Sequence, residues 1–134
     1  MNIIQKESVT VEYVESLNAV LLNWHKIPDD KELATVLFVF REFVEENNVK
    51  NWIINTSHLY ANTIEEEGWV INAWHSTLIS AGIENKAIII SAEKYLEMGI
   101  EEIMGKIDVY NDFEMRFFPS FIEAKKWIEK MNLI

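Results

Sequence analysis

Apolar positions along this chain recur with two different periods, and the switches between them mark its elements. Val9, Val11 and Tyr13 alternate with Thr10 and Glu12, the period-two pattern of a half-buried strand. Residues 15–18, Glu-Ser-Leu-Asn, read as a turn, and Ala19 to Trp24 as a second, mostly apolar and more central strand. So short a connection predicts an antiparallel hairpin. Pro28-Asp29-Asp30 then opens a helix, with Asp29 and Glu32 at capping-box spacing. Leu33, Val36, Leu37, Phe40, Phe43 and Val44 follow at helical spacing on one stripe, and Asn47-Asn48 suits a left-handed stop.

The same grammar repeats downstream. Trp52-Ile53-Ile54 is a short buried strand that ends in the polar run Asn55-Thr56-Ser57-His58. Thr63 and Glu66 form a capping box for a helix to residue 81, with Val70, Ala73, Trp74, Thr77, Leu78 and Ala81 on one face and Gly82 at its end. Ala87 to Ile90 is an unbroken apolar run, as in a strand covered on both faces. Ile100 to Ile107 reads as a short helix, and Met115 to Phe118 as a last strand near an edge, because charged residues flank it. Ser120 and Glu123 cap a final helix that turns Ala124, Trp127, Ile128 and Met131 inward. The expected order is β-β-α-β-α-β-α-β-α. That is an α/β fold with a mixed, mostly parallel sheet of about five strands, in a single domain spanning residues 1–134.

Composition narrows the function classes. The 134 residues are 49% hydrophobic and 12% aromatic, enough for a true core. There is no cysteine, so neither a disulfide framework nor a thiolate metal site can form. The first residues hold no apolar run of signal-peptide length, and no stretch reaches the roughly 18 apolar residues that span a bilayer. A cytoplasmic location is therefore expected. Twelve Lys and Arg against 22 Asp and Glu leave a net charge of −10, a field that repels phosphate backbones, so no nucleic-acid partner is expected.

Several of these strings resemble a known family. Residues 52–56 (Trp-Ile-Ile-Asn-Thr), the helix with Trp69 and Trp74, Ala81-Gly82-Ile83, Lys86 to Ile90, Met115 to Phe118, and Glu123-Ala124 with Trp127-Ile128 are similar to the bacterial STAS-like, or SpoIIAA-like, domains. The resemblance covers nearly the whole chain. It implies a STAS-like fold and work through protein contacts. Many signalling members carry an Asp-Ser-Ser-Gly type segment whose serine a partner kinase phosphorylates. Here that region reads His58-Leu59-Tyr60-Ala61-Asn62-Thr63-Ile64-Glu65, and Asn55 replaces the family's strand-end acid, so the phosphoserine switch does not carry over.

Candidate chemistry is sparse. His25, His58 and His75 give no helical pair for zinc, and no metal or cofactor is expected. Gly-x-Ser-x-Gly is absent, and the four glycines are too dispersed for a nucleotide fingerprint. Residues 65–67 and 101–102, all Glu, read as dipole-complementing helical turns. Thr56, Ser57, His58 and Thr63 are the candidate ligand or partner rim, because parallel sheets bind at the C-terminal ends of their strands. The plainer reading gives Thr56 and Ser57 to turn hydrogen bonds. Trp74 and Trp127 belong to core stripes, whereas Phe38, Val39 and Trp69 fall off theirs and suggest an exposed apolar interface, most simply that of a two-fold homodimer. With no catalytic motif, a non-enzymatic regulatory or protein-interaction module is expected. The alternative is a carrier or sensor of a small apolar or lipid-like ligand.

Overall fold

The computed structural model describes residues 1–59, 64–104, 106–108 and 113–134. Its elements are β1 (Asn2–Gln5), β2 (Val9–Val14), a 3-10 turn (Glu15–Leu17), β3 (Ala19–Trp24), α1 (Asp30–Asn47), β4 (Asn51–Asn55), α2 (Ile64–Asn72), α3 (His75–Ala81), β5 (Asn85–Ile89), α4 (Ala92–Leu96), α5 (Ile100–Met104), β6 (Lys106–Asp108), β7 (Phe113–Phe118) and α6 (Phe121–Asn132). The strands form one mixed sheet in the order β1-β2-β3-β4-β5-β7-β6.

The central pairings β3–β4, β4–β5 and β5–β7 are parallel, while β1–β2, β2–β3 and β6–β7 are antiparallel. The expected hairpin is thus β2–β3, paired from Val9↔Trp24 to Val14↔Ala19. The expectation of about five mostly parallel strands needs correcting, since seven strands are described and the two pairing senses are equally represented. β1 escapes a period-two reading because its register slips between Asn2 and Ile4. β6 is three residues long and occupies what reads as the end of a helix. Pairing with β6 also moves β7 away from the edge, where its flanking charges had suggested it would lie.

Alternation along the strands sorts side chains into two clusters. On one face Val9, Val11, Val20, Leu22, Trp24, Trp52, Ile54 and Ile88 meet Leu33, Val36, Phe40 and Val44 of α1, Val70 and Ile71 of α2, and Leu78 of α3. On the other, Ala19, Leu21, Ile53, Ala87, Ile89 and Phe118 meet Leu17 and α6 through Ala124, Trp127 and Ile128. Helices on both faces explain why the central strands read as continuous apolar runs.

The caps act as their residue types suggest. Asp29 accepts the Glu32 amide at 2.7 Å to start α1, and Asn48 ends it in the left-handed region at φ 51°. Ser120 accepts the Glu123 amide at 3.4 Å to start α6. The Thr63 cap lies outside the described residues. Ser91 starts the short α4 by accepting the Lys94 amide at 3.3 Å.

The helix expected over 63–81 is broken. Trp74 stands between α2 and α3 with φ 68°, half-buried, rather than on a continuous stripe. Its ring packs near Trp24 and Phe40, at centroid distances of 6.3 and 6.2 Å. The break coincides with a contact from the sheet. A continuous helix would give the Ile71 carbonyl to the amide of residue 75. Here that carbonyl accepts a hydrogen bond from Lys86 Nζ, reaching up from the sheet.

Candidate functional site

The C-terminal ends of β4, β5 and β7 lie along one edge of the sheet. At the end of β4, Thr56 is buried; its amide and its Oγ1 both donate to the Ile89 carbonyl, at 2.9 and 3.2 Å. Ser57 donates its hydroxyl to Asn55 Oδ1 at 2.6 Å and its amide to the same oxygen at 2.9 Å. Asn55 in turn donates to Asn23 Oδ1 at 3.0 Å. These bonds close an Asx-type turn, so both hydroxyls help to shape the chain end. His58 is exposed, and Thr63 lies outside the described residues.

An opening lies one to two strands away, at the ends of β5 and β7 on the face that carries α1 and α2. It is a cleft of about 380 Å³, lined by Gly68 and Ile71 of α2, Ile90 just beyond β5, Phe117 of β7, Lys94, Glu97 and Met98 on and after α4, and Glu102 of α5. Its walls are mainly apolar. Lys94, Glu97 and Glu102 carry the charges, and Glu102 also accepts the Gly99 amide at 3.3 Å. Thr56, Ser57 and His58 are not among its described lining residues; the cleft shares their edge of the sheet but lies at β5 and β7.

Behind Ile71 sits Lys86, fully buried as the second residue of β5. Its ammonium lies 4.0 Å from the centroid of the Trp52 ring and donates to the Ile71 carbonyl near the end of α2. Cation–π attraction and a helix C-terminus both favour the charged form. Burial opposes them and pushes the group from its usual 10.5 down to about 7. Lys86 is therefore a support for α2 and is not among the residues that line the cleft.

A second, more polar hollow of about 330 Å³ lies beside the β1–β2 turn, where Lys26 pairs with Glu7 and the Ser8 hydroxyl donates to Glu32. Asp29, also in its wall, accepts the Glu32 amide. His25 is exposed, and His75 meets Phe113 edge-on at 4.8 Å. Among the described residues no three His, Asp or Glu side chains gather as a metal site would require. On the outer surface Phe38 is 64% and Trp69 40% exposed, while Val39 is half-buried on the flank of α1. The chain matches no known family model, and no curated protein is similar to it.

One signal for the cleft was present in the sequence: Gly68 interrupts an otherwise good helix. Ile71, Ile90, Met98 and Phe117 gave none, because each reads as an ordinary core residue.

Proposed function

We propose that this domain is a non-enzymatic binding module that holds a small, largely apolar ligand in the cleft beside α2, α4 and the ends of β5 and β7. The observation that carries the reading is the cleft itself. Its volume of about 380 Å³ falls within the range of small-molecule sites, and it combines apolar walls with a few charged groups, as such sites do. Kinship with STAS-like domains rests on the strings at 52–56, 69–90 and 115–128 and adds a regulatory role exercised through protein contacts. A ligand in the cleft would touch α2, whose exposed Trp69 stands next to Gly68, so occupancy is positioned to alter the surface a partner meets.

The hydroxyls of Thr56 and Ser57 are turned to backbone and Asn55 oxygens, which favours binding over catalysis at that edge. Native mass spectrometry of the purified protein, combined with titration by the neutral fluorophore 1-aminoanthracene, tests the reading. Saturable binding of one fluorophore per chain is expected, displaced by any molecule the protein retains. No saturable binding and no retained mass would exclude it.

A second reading is favoured by the exposure of Phe38 and Trp69 on helices that pack the same face of the sheet. These side chains suit contact with another copy of the chain, as a two-fold homodimer.

A further inference from the structure

Gly68 is the fifth of the nine residues of α2. Glycine is a poor residue inside a helix, because it gives up the most backbone freedom and shields the backbone least. Folds accept it there when the backbone is left-handed or when a neighbour comes too close for a Cβ. Neither reason holds at Gly68. The only glycine with positive φ among the described residues is Gly82, at 116°. A Cβ built on Gly68 would meet no described atom within 4 Å. Gly68 lies inside the helix, and its carbonyl accepts Asn72 Nδ2 at 2.9 Å. The packing of the described residues thus gives no reason for glycine at this position, whereas the cleft does. Gly68 lines it together with Ile71, one turn further along the same helical face.

We propose that Gly68 is a specificity-determining residue, whose missing side chain leaves the room in which an uncharged, mainly apolar ligand packs against the bare backbone of α2. This rests on the binding reading above and adds the ligand's position and charge. Ile71, Ile90, Met98 and Phe117 supply apolar contact. Among the described lining residues one lysine stands against two glutamates, and the whole chain carries a net charge of −10. A field of that sign disfavours a carboxylate or phosphate headgroup. A neutral molecule is therefore preferred to a fatty-acid anion.

The test compares the unmodified protein with Gly68→Ala and Gly68→Leu, using 1-aminoanthracene as the neutral probe and oleate as the anionic one. Gly68→Leu is expected to weaken 1-aminoanthracene binding at least about tenfold by filling the space. Oleate is expected to compete poorly. Gly68→Ala should raise the melting temperature by roughly 3–6 °C, as removing a mid-helix glycine does when nothing obstructs the new methyl. If the unmodified protein binds neither probe, the binding reading fails and takes this inference with it. If it binds 1-aminoanthracene and Gly68→Leu binds it equally well, the cleft function stands and the role of Gly68 is overturned. A lower melting temperature for Gly68→Ala, or a Gly68→Leu chain that does not fold, would show that the fold itself needs the glycine and would overturn the inference too. Strong oleate binding would overturn the charge assignment.

Discussion

Lys86 places an ammonium group where no carboxylate among the described residues pairs with it, and its behaviour with pH follows from that. Burial lowers its folded-state value to about 7 from the usual 10.5. Between those two values the unfolded chain holds a proton that the folded chain has released. The unfolded state therefore binds more protons, and stability rises with pH across that window. Below about pH 7 both states are charged and this group contributes no further slope. The neutral amine still donates to the Ile71 carbonyl, so α2 keeps its support when the proton leaves. Lys86→Met retains the apolar stem and removes the charge. It also removes the bond to the Ile71 carbonyl at every pH, so the charge shows in the pH dependence: relative to the parent, Lys86→Met is expected to fare better at pH 6 than at pH 9 by roughly 2–3 kcal/mol. Urea midpoints measured on both proteins at pH 6 to 9 provide the check, and a difference that stays constant would refute the burial of the charge.

The break between α2 and α3 is the feature on which the helical layer turns. Trp74 occupies the left-handed region at φ 68°, a conformation costing an L-residue about 1–2 kcal/mol relative to glycine. Its ring recovers part of that through contact with Trp24 and Phe40. Truncation therefore has an unusual order. Trp74→Ala loses the ring and keeps the backbone strain, while Trp74→Gly loses the ring and relieves it. The glycine variant should be the more stable of the two by about 1 kcal/mol, the reverse of the ranking inside a helix. Thermal melts of the pair decide this. An alanine variant more stable than the glycine variant would mean that residues 64–81 form one continuous helix in solution.

For the whole molecule, net charge and exposed aromatics act against each other. Each copy carries −10, so two copies repel, and salt screens that repulsion with a Debye length of about 10 Å at 0.1 M. If Phe38 and Trp69 form the contact proposed for a homodimer, sedimentation should show association that strengthens with added salt. Phe38→Glu should weaken it at least about tenfold, because it buries a carboxylate in an apolar contact. A monomer at every salt concentration would remove the dimer. A dimer indifferent to Phe38→Glu would move it to another surface. No helix among the described residues is long and apolar enough to cross a membrane.

What the sequence by itself determined is what short stretches of chain decide alone. The α1 stripe, its Asp29 start and Asn48 stop, the β2–β3 hairpin and the Ser120 start of α6 were all legible, because periodicity and capping act over a few residues. Phe38 and Trp69 were legible as misfits for the same reason. Tertiary structure decided the rest. β1 and β6 become strands only by pairing with β2 and β7. α2 stops where Lys86, 15 residues further along the chain, takes the Ile71 carbonyl. The cleft joins residues from Gly68 to Phe117, four of which carry the same apolar signature as a closed core. An apolar side chain facing a cleft and one facing a packed neighbour obey the same local pattern; only the arrangement of the distant elements separates them.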